Sequence, residues 1–360
     1  MSDFANQPYN ILPPLPPRTD LETPQILKAA IAANRSLAEL KGKAEGLPNP
    51  AILVNSVVAQ EAKASSEIEN VVTTNDKLFI ALSADDQKTD PQTKEVLRYR
   101  QALWEGFNYL KMGTFDVALF TRLMQVIKET ESGIRDDAGT VIANPNTRQI
   151  IYWPPEGREL INGLLENLAT YAQTDDGTDP LIKMAVIHYQ FEAIHPFEDG
   201  NGRTGRILNI LYLIRQQLLH QPVLYLSDYI INRKPDYYRL LREVTEKEAW
   251  EPWIIFMLEA VQLTAEQTMQ RIEAIRKLLD EILEEARESL PGRVYSKELI
   301  ELLFEQPYCK VKFLVDRGLA KRQTAADYLK ELESAGFLKS KQVGRENLYL
   351  NTRLYDLLTS

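Results

Sequence analysis

The stretch LIKMAVIHYQFEAIHPFEDGNGRTGRILNILYLIR, residues 181–215, decides the fold because two apolar segments flank a compact polar loop. Leu181 to Ile194 is apolar almost all round, so it reads as a helix buried on most sides that delivers His195 to the interior. From Arg203 a second apolar helix begins, with Arg203 and Arg206 three apart in its first turn. Between the two lies DGNG, Asp199 to Gly202, whose glycines let backbone amides crowd ahead of a helix N-terminus. That combination suits an anion. Two arginines at a helix start are otherwise disfavoured by ~0.3–1 kcal/mol each through the helix dipole, a conflict that a bound anion removes.

Two arginines and several amides can hold more than one phosphate group, so the site reads as one for a di- or triphosphate. Asp199, a lone carboxylate beside such a ligand, suits Mg2+, which takes one or two carboxylates with waters and phosphate oxygens. His195, neutral in a good fraction of molecules near pH 7, is placed to take a proton from a hydroxyl. Read singly, each residue has a plain alternative: a capped core histidine, a turn acid, surface-paired arginines. Their crowding into residues 195–206 favours the site.

Outward from this loop the chain reads as mostly helical. Residues 1–20 are proline-rich and form an extended arm. Residues 21–110 form an N-terminal helical region, which opens with a helix starting at Thr-Pro and stopping at Gly42. Residues 111–258 hold the central motif and, at 139–153, a β-hairpin whose β-branched runs flank the turn-rich ANPNT. Residues 259–289 read as one long charged linker helix, which offers a surface for a homodimer. In residues 290–360, short helices, a stop at Gly336 and two strands joined by VGRE resemble a winged helix.

Composition narrows the function. The 360 residues carry a net charge of −9, which argues against the whole molecule binding nucleic acid. Residues 290–360 differ, with 12 Lys and Arg against 9 Asp and Glu. DNA contact through Lys321, Arg322, Gln323, Thr324 and Lys330, with Lys341 and Arg345 on the wing, is one reading of this tail; protein docking is the other. One cysteine, Cys309, excludes an internal disulfide, and the remaining histidines, His188 and His220, read as structural and surface residues. No apolar run reaches the ~18 residues of a membrane span and the N-terminus lacks a secretory pattern, so the expected compartment is the cytoplasm, with no membrane partner.

HPFEDGNGRTGR, residues 195–206, matches at every defined position the signature of Fic-domain proteins, and SSEIEN, residues 65–70, resembles that family's inhibitory helix motif. The resemblance implies a mainly α fold: a Fic-type helical core with a β-hairpin flap, plus a small α+β winged-helix-like C-terminal domain. It implies Mg2+-dependent transfer of AMP from ATP to a Ser, Thr or Tyr hydroxyl of a target protein docked on the flap. By this resemblance His195 is the general base, Asp199 the metal ligand and Asn201 a contact to the α-phosphate. Gly200 and Gly202 offer amides, Arg203 and Arg206 take the β- and γ-phosphates, and Phe197 anchors the loop. Tyr238 and Leu241 are candidates for the adenine pocket, with Tyr237 the alternative tyrosine. Ser65, Glu69 and Asn70 form the inhibitory motif, in which Glu69 pairs with Arg206 in place of the γ-phosphate. Two rival readings stay open: an ATP-sensing winged-helix DNA-binding regulator, and a hydrolase that removes AMP with the same site.

Overall fold

A computed structural model describes residues 4–46, 49–84, 89–136, 138–143 and 147–359. In chain order the elements are α1 (Pro24–Glu45), α2 (Pro50–Ile68), α3 (Asn75–Ser83), α4 (Pro91–Tyr109), α5 (Val117–Lys128), β1 (Ile142–Ala143) and β2 (Ile150–Tyr152). Then come α6 (Arg158–Gln173), α7 (Pro180–Ile194), α8 (Asn201–Arg215), α9 (Leu226–Asn232), α10 (Lys234–Lys247) and α11 (Trp250–Ser289). The chain ends with α12 (Lys297–Leu302), β3 (Tyr308–Cys309), α13 (Val311–Asp316), α14 (Arg322–Ser334), β4 (Lys339–Val343), β5 (Glu346–Leu350) and α15 (Thr352–Thr359). No helix among the described residues is long and apolar enough to cross a membrane.

The central hairpin of helices is the one the apolar pattern predicts. In α7 every residue but Pro180 and Glu192 is buried, and α6, α8 and α11 pack around it. The helix ends where His195 turns left-handed at φ 48°, its N–H donating to Phe191 O at 3.0 Å. Gly200 caps the next helix at φ 84°, a conformation most side chains resist. Phe197, fully buried between these turns, fixes the loop by contributing ~1.5–3 kcal/mol of apolar burial.

Three sequence expectations need correction. The first helix does not stop at Gly42 but runs to Glu45, capped at Gly46. One glycine costs a helix only ~1 kcal/mol, and α1 is held along its length by α11. The linker helix placed at 259–289 is the distal part of α11, which begins at Trp250, so the boundary at residue 258 falls inside one continuous helix. Its buried residues, from Trp250 to Ala286, pack against α1, α7, α9 and α10 and then against α12 and α15, so its length is used within the chain. Finally α8 starts at Asn201, which puts Arg203 in its first turn and Arg206 in its second.

The hairpin at 139–153 is present as β1 and β2, antiparallel with Ile142 opposite Tyr152; the centre of its turn, residues 144–146, lies outside the described residues. The proline-rich arm runs back along it. Trp153 N–H donates to Phe4 O and Tyr9 N–H to Trp153 O, both at 2.9 Å, while Leu12 and Leu15 are buried. In the tail, β3, β5 and β4 form an antiparallel sheet in that order, with α13 and α14 between β3 and β4 in the chain. The short strand β3 around buried Cys309 and the closing helix α15 were not foreseen. Burial pushes the Cys309 thiol up to about 12, consistent with an inert filler.

Candidate active site

The loop between α7 and α8 is shaped by its own side chains and by one buried arginine. Asn201 accepts from Phe197 N–H at 2.9 Å and donates to Phe197 O at 2.7 Å. Both polar atoms of this buried side chain thus close the loop that carries the α-phosphate contact expected of Asn201. Arg135, 3% exposed, donates to His195 O at 2.8 Å and to Pro155 O at 2.6 Å, and its own N–H donates to Pro196 O at 3.0 Å. It thus staples the base of the flap to the His195 turn.

His195 is half-buried, with its Nδ1 turned inward toward the Glu192 backbone. Burial first, and the Arg135 charge second, push its imidazole down to about 4, so it is neutral at pH 7. A neutral imidazole is fitted to accept a proton at the ring nitrogen that is not turned into the protein. Glu192, three residues earlier, is pushed up to about 7 by burial against the pull of Arg206.

Arg203 and Arg206 leave α8 toward different helices. Arg206, 1% exposed, donates through Nε to Ser65 Oγ at 2.8 Å and through Nη2 to Ser65 O at 2.9 Å and Glu69 Oε1 at 2.7 Å. Burial works against the Glu69 charge, but Arg206 outweighs it and holds the carboxyl below its ordinary value. Glu69 is the C-cap of α2, and Asn70 follows at φ 64°, which asparagine tolerates better than other non-glycine residues. Lys234 Nζ donates to Ile68 O at 2.5 Å and secures the same helix end. Gly202 makes room for the pair, since a Cβ there would run into Glu69 Oε1 and lie 2.9 Å from Arg206 Nη1.

Arg203, 2% exposed, pairs with Glu95 of α4, and its Nη2 lies 3.5 Å from Asp199 Oδ1. Lys128, the last residue of α5, holds Asp199 Oδ2 at 2.6 Å and stands 3.4 Å from Glu95 Oε1. Arg203 Nε is buried without a partner, so the cluster has donor capacity that a further anion would use. No group of three or more His, Cys, Asp or Glu able to hold a metal occurs among the described residues. Asp199 offers one exposed carboxylate beside Arg203, a donor set that fits Mg2+ shared with a polyphosphate and waters.

Beside this loop opens a cavity of about 790 Å3, lined by Ile68, Glu69, Glu192, Tyr238 and Leu241, with Tyr152 on the flap side. It separates the two tyrosines: Tyr237 is buried and bonds His188 Nε2 at 2.8 Å, whereas Tyr238 is 44% exposed at the cavity. His220 is exposed and pairs with Glu45. Sequence reading missed Glu95, Lys128, Arg135, Glu192 and Lys234. Only Glu192 carried a local signal, as an acid inside an otherwise apolar helix close to His195. In the tail, Lys321, Arg322, Gln323, Thr324, Lys330 and Arg345 are exposed, but Lys341 is tied to Asp76 of α3 at 2.8 Å.

Residues 27–108 match the family model "Fic/DOC family N-terminal", residues 117–213 match "Fic/DOC family", and residues 278–354 match "Protein adenylyltransferase SoFic-like, C-terminal domain". The chain is 36% identical over 61 residues to a "Probable protein adenylyltransferase" of Aquifex aeolicus, a stretch covering 17% of this chain and 19% of that protein. It is 42% identical over 57 residues to a protein adenylyltransferase, fic-1, of Caenorhabditis briggsae, covering 14% of this chain and 11% of the relative. These matches span less than a fifth of the relatives' own lengths. A Fic family protein from Desulfovibrio desulfuricans G20 shares the fold with a TM-score of 0.61 at 18% identity, covering 93% of this chain and 98% of that one. Fic-1 of C. elegans follows at TM-score 0.53 and 18% identity, covering 71% and 75%.

Proposed function

The chain belongs to the Fic/DOC family, and we propose that it is a protein adenylyltransferase that moves AMP from ATP to a hydroxyl side chain of a target protein. The observation that carries this reading is the pairing of a neutral His195 with two arginines at the start of α8, beside a cavity lined by Tyr238 and Leu241. The adenine lies against Tyr238 and Leu241, and the phosphates lie across the α8 N-terminus, facing the amides of Gly200 and Gly202. Arg203 and Arg206 take the β- and γ-phosphates. Asp199 would hold Mg2+, which would supply charge neutralisation on the polyphosphate.

His195 takes the proton from the target Ser, Thr or Tyr hydroxyl, whose segment lies along the flap, residues 139–153. The hydroxyl oxygen bonds to the α-phosphorus, the bond from that phosphorus to the bridging oxygen breaks, and pyrophosphate leaves with the electron pair. Arg135 keeps the His195 turn in place throughout. In the resting chain Arg206 is committed to Ser65 and Glu69, so the γ-phosphate has no place there and the enzyme is self-inhibited.

The test uses the full chain, Mg2+, cell lysate and ATP labelled at the α-phosphate. Protein-bound label should rise in Glu69→Gly and vanish when His195→Ala is added. Absence of label from both wild type and Glu69→Gly, with specific DNA retention by the chain, overturns the reading in favour of a regulator; loss of AMP from a pre-labelled target favours the hydrolase.

A further inference from the structure

Four charges meet where the polyphosphate is proposed to lie, and they come from three helices and the loop. Arg203 pairs with Glu95, while Asp199 lies between Lys128 at 2.6 Å and Arg203 at 3.5 Å. The remaining pair, Lys128 and Glu95, is already 3.4 Å apart. The Lys128 stem is laid over the loop, since a Cβ on Gly200 would lie 3.3 Å from Lys128 Cγ. Two cations and two carboxylates balance in this state.

The residues that face ligand in the proposed reaction, Arg203 and Asp199, are both occupied by other side chains. For Arg203 to take a phosphate it must share or leave Glu95, and for Asp199 to serve a cation it must give up Lys128. After either departure alone the residue left behind keeps only the longer Lys128–Glu95 contact at 3.4 Å, while its neighbour is still shared with a second partner. Both departures together free Lys128 and Glu95 to close onto each other, which limits the cost of leaving a partly buried charge weakly paired.

We propose that Lys128 and Glu95 are positioning residues that exchange partners: each holds one ligand-binding residue while also touching the other, and they close fully onto each other once Asp199 and Arg203 turn to the cation and the phosphates. This rests on the adenylyltransferase reading and adds to it a coupling between cation and nucleotide.

The experiment is a double-mutant cycle read by calorimetry, with α,β-methylene-ATP as probe, on the full chain carrying Glu69→Gly so that Arg206 is available. Lys128→Met and Glu95→Gln are made singly and together, and binding is measured with and without Mg2+. With Mg2+, Lys128→Met should be about tenfold less favourable to binding when Glu95 is present than in the Glu95→Gln background, since only then is a carboxylate left unpaired. Without Mg2+, Lys128 keeps Asp199, and that ratio should fall below about threefold. Lys128→Arg, which retains the charge, should restore binding to within about threefold of the parent. Equal effects of Lys128→Met in both backgrounds, or the same ratio with and without Mg2+, would overturn the exchange while leaving the adenylyltransferase reading intact. Failure of the parent protein to bind the probe at all would overturn both.

Discussion

Arg203 and Arg206 are the same residue type, three apart on one helix and nearly fully buried, yet their surroundings differ in kind. Arg206 is gripped by one helix end, with Ser65 supplying two acceptors and Glu69 the charge. Arg203 sits in a cluster where each member has a second choice, Glu95 and Asp199 both lying between Arg203 and Lys128. The first arrangement is a clasp that opens only if α2 shifts or Glu69 is removed. The second can rearrange in place. Identical chemistry is thus given two behaviours by the number of partners within reach.

That contrast can be broken at several points. The largest expected effect bears on both arginines: in the Glu69→Gly background, His195→Ala should cut AMP transfer by about 10²–10⁴-fold, as loss of a general base does. Residual transfer within tenfold of the parent would remove His195 from the role. Glu69→Gly alone should raise transfer by about 5–150-fold, the range of a coupling worth 1–3 kcal/mol. Glu95→Gln, the corresponding change at Arg203, should alter transfer by less than about tenfold, because Asp199 remains as a partner. Similar gains from the two substitutions would erase the distinction between clasp and cluster.

A subtler test uses pH. His195 is held down to about 4, so transfer is expected to persist through mildly acid pH and to fall as pH drops through about 4, where the imidazole takes up a proton. Arg135→Met removes one cause of that depression and should move the acid limb upward, toward the ordinary value near 6.5, in a plot of kcat/KM against pH. Glu69 titrates in the opposite sense to a raised group. Its folded value lies below 4.5, so the stability of the clasp is present above 4.5 and is lost as pH falls through the folded value. The difference in Tm between wild type and Glu69→Gln should therefore shrink in acid. The smallest effect belongs to the turn after α2: Asn70→Ala should cost about 1 kcal/mol at φ 64°, whereas Asn70→Gly should be near neutral by denaturant unfolding.

Much of the site was legible because its residues are close in sequence. The loop from His195 to Arg206 needs only two apolar helices, a left-handed turn and glycines, and all of these are written locally. Ser65 and Glu69 were legible for a related reason: four residues apart, they share a helix face, and Asn70 supplies the turn that ends it. Gly42 is no stop because one exposed glycine costs only ~1 kcal/mol in a helix whose opposite face packs on α11.

By itself the sequence determined the helical pattern, the glycine-rich loop between α7 and α8, the β-hairpin and the pair Glu69 and Arg206, since periodicity, capping and short spacing act over a few residues and a shared motif identifies the rest. Tertiary structure alone decided that Tyr238 and not Tyr237 meets the cavity, that Arg135 staples the His195 turn, and that Lys128 and Glu95 stand beside Asp199 and Arg203. Those contacts join helices far apart in the chain. Which charges meet there depends on how α4, α5 and α8 pack, and packing is set by the whole core rather than by any one stretch.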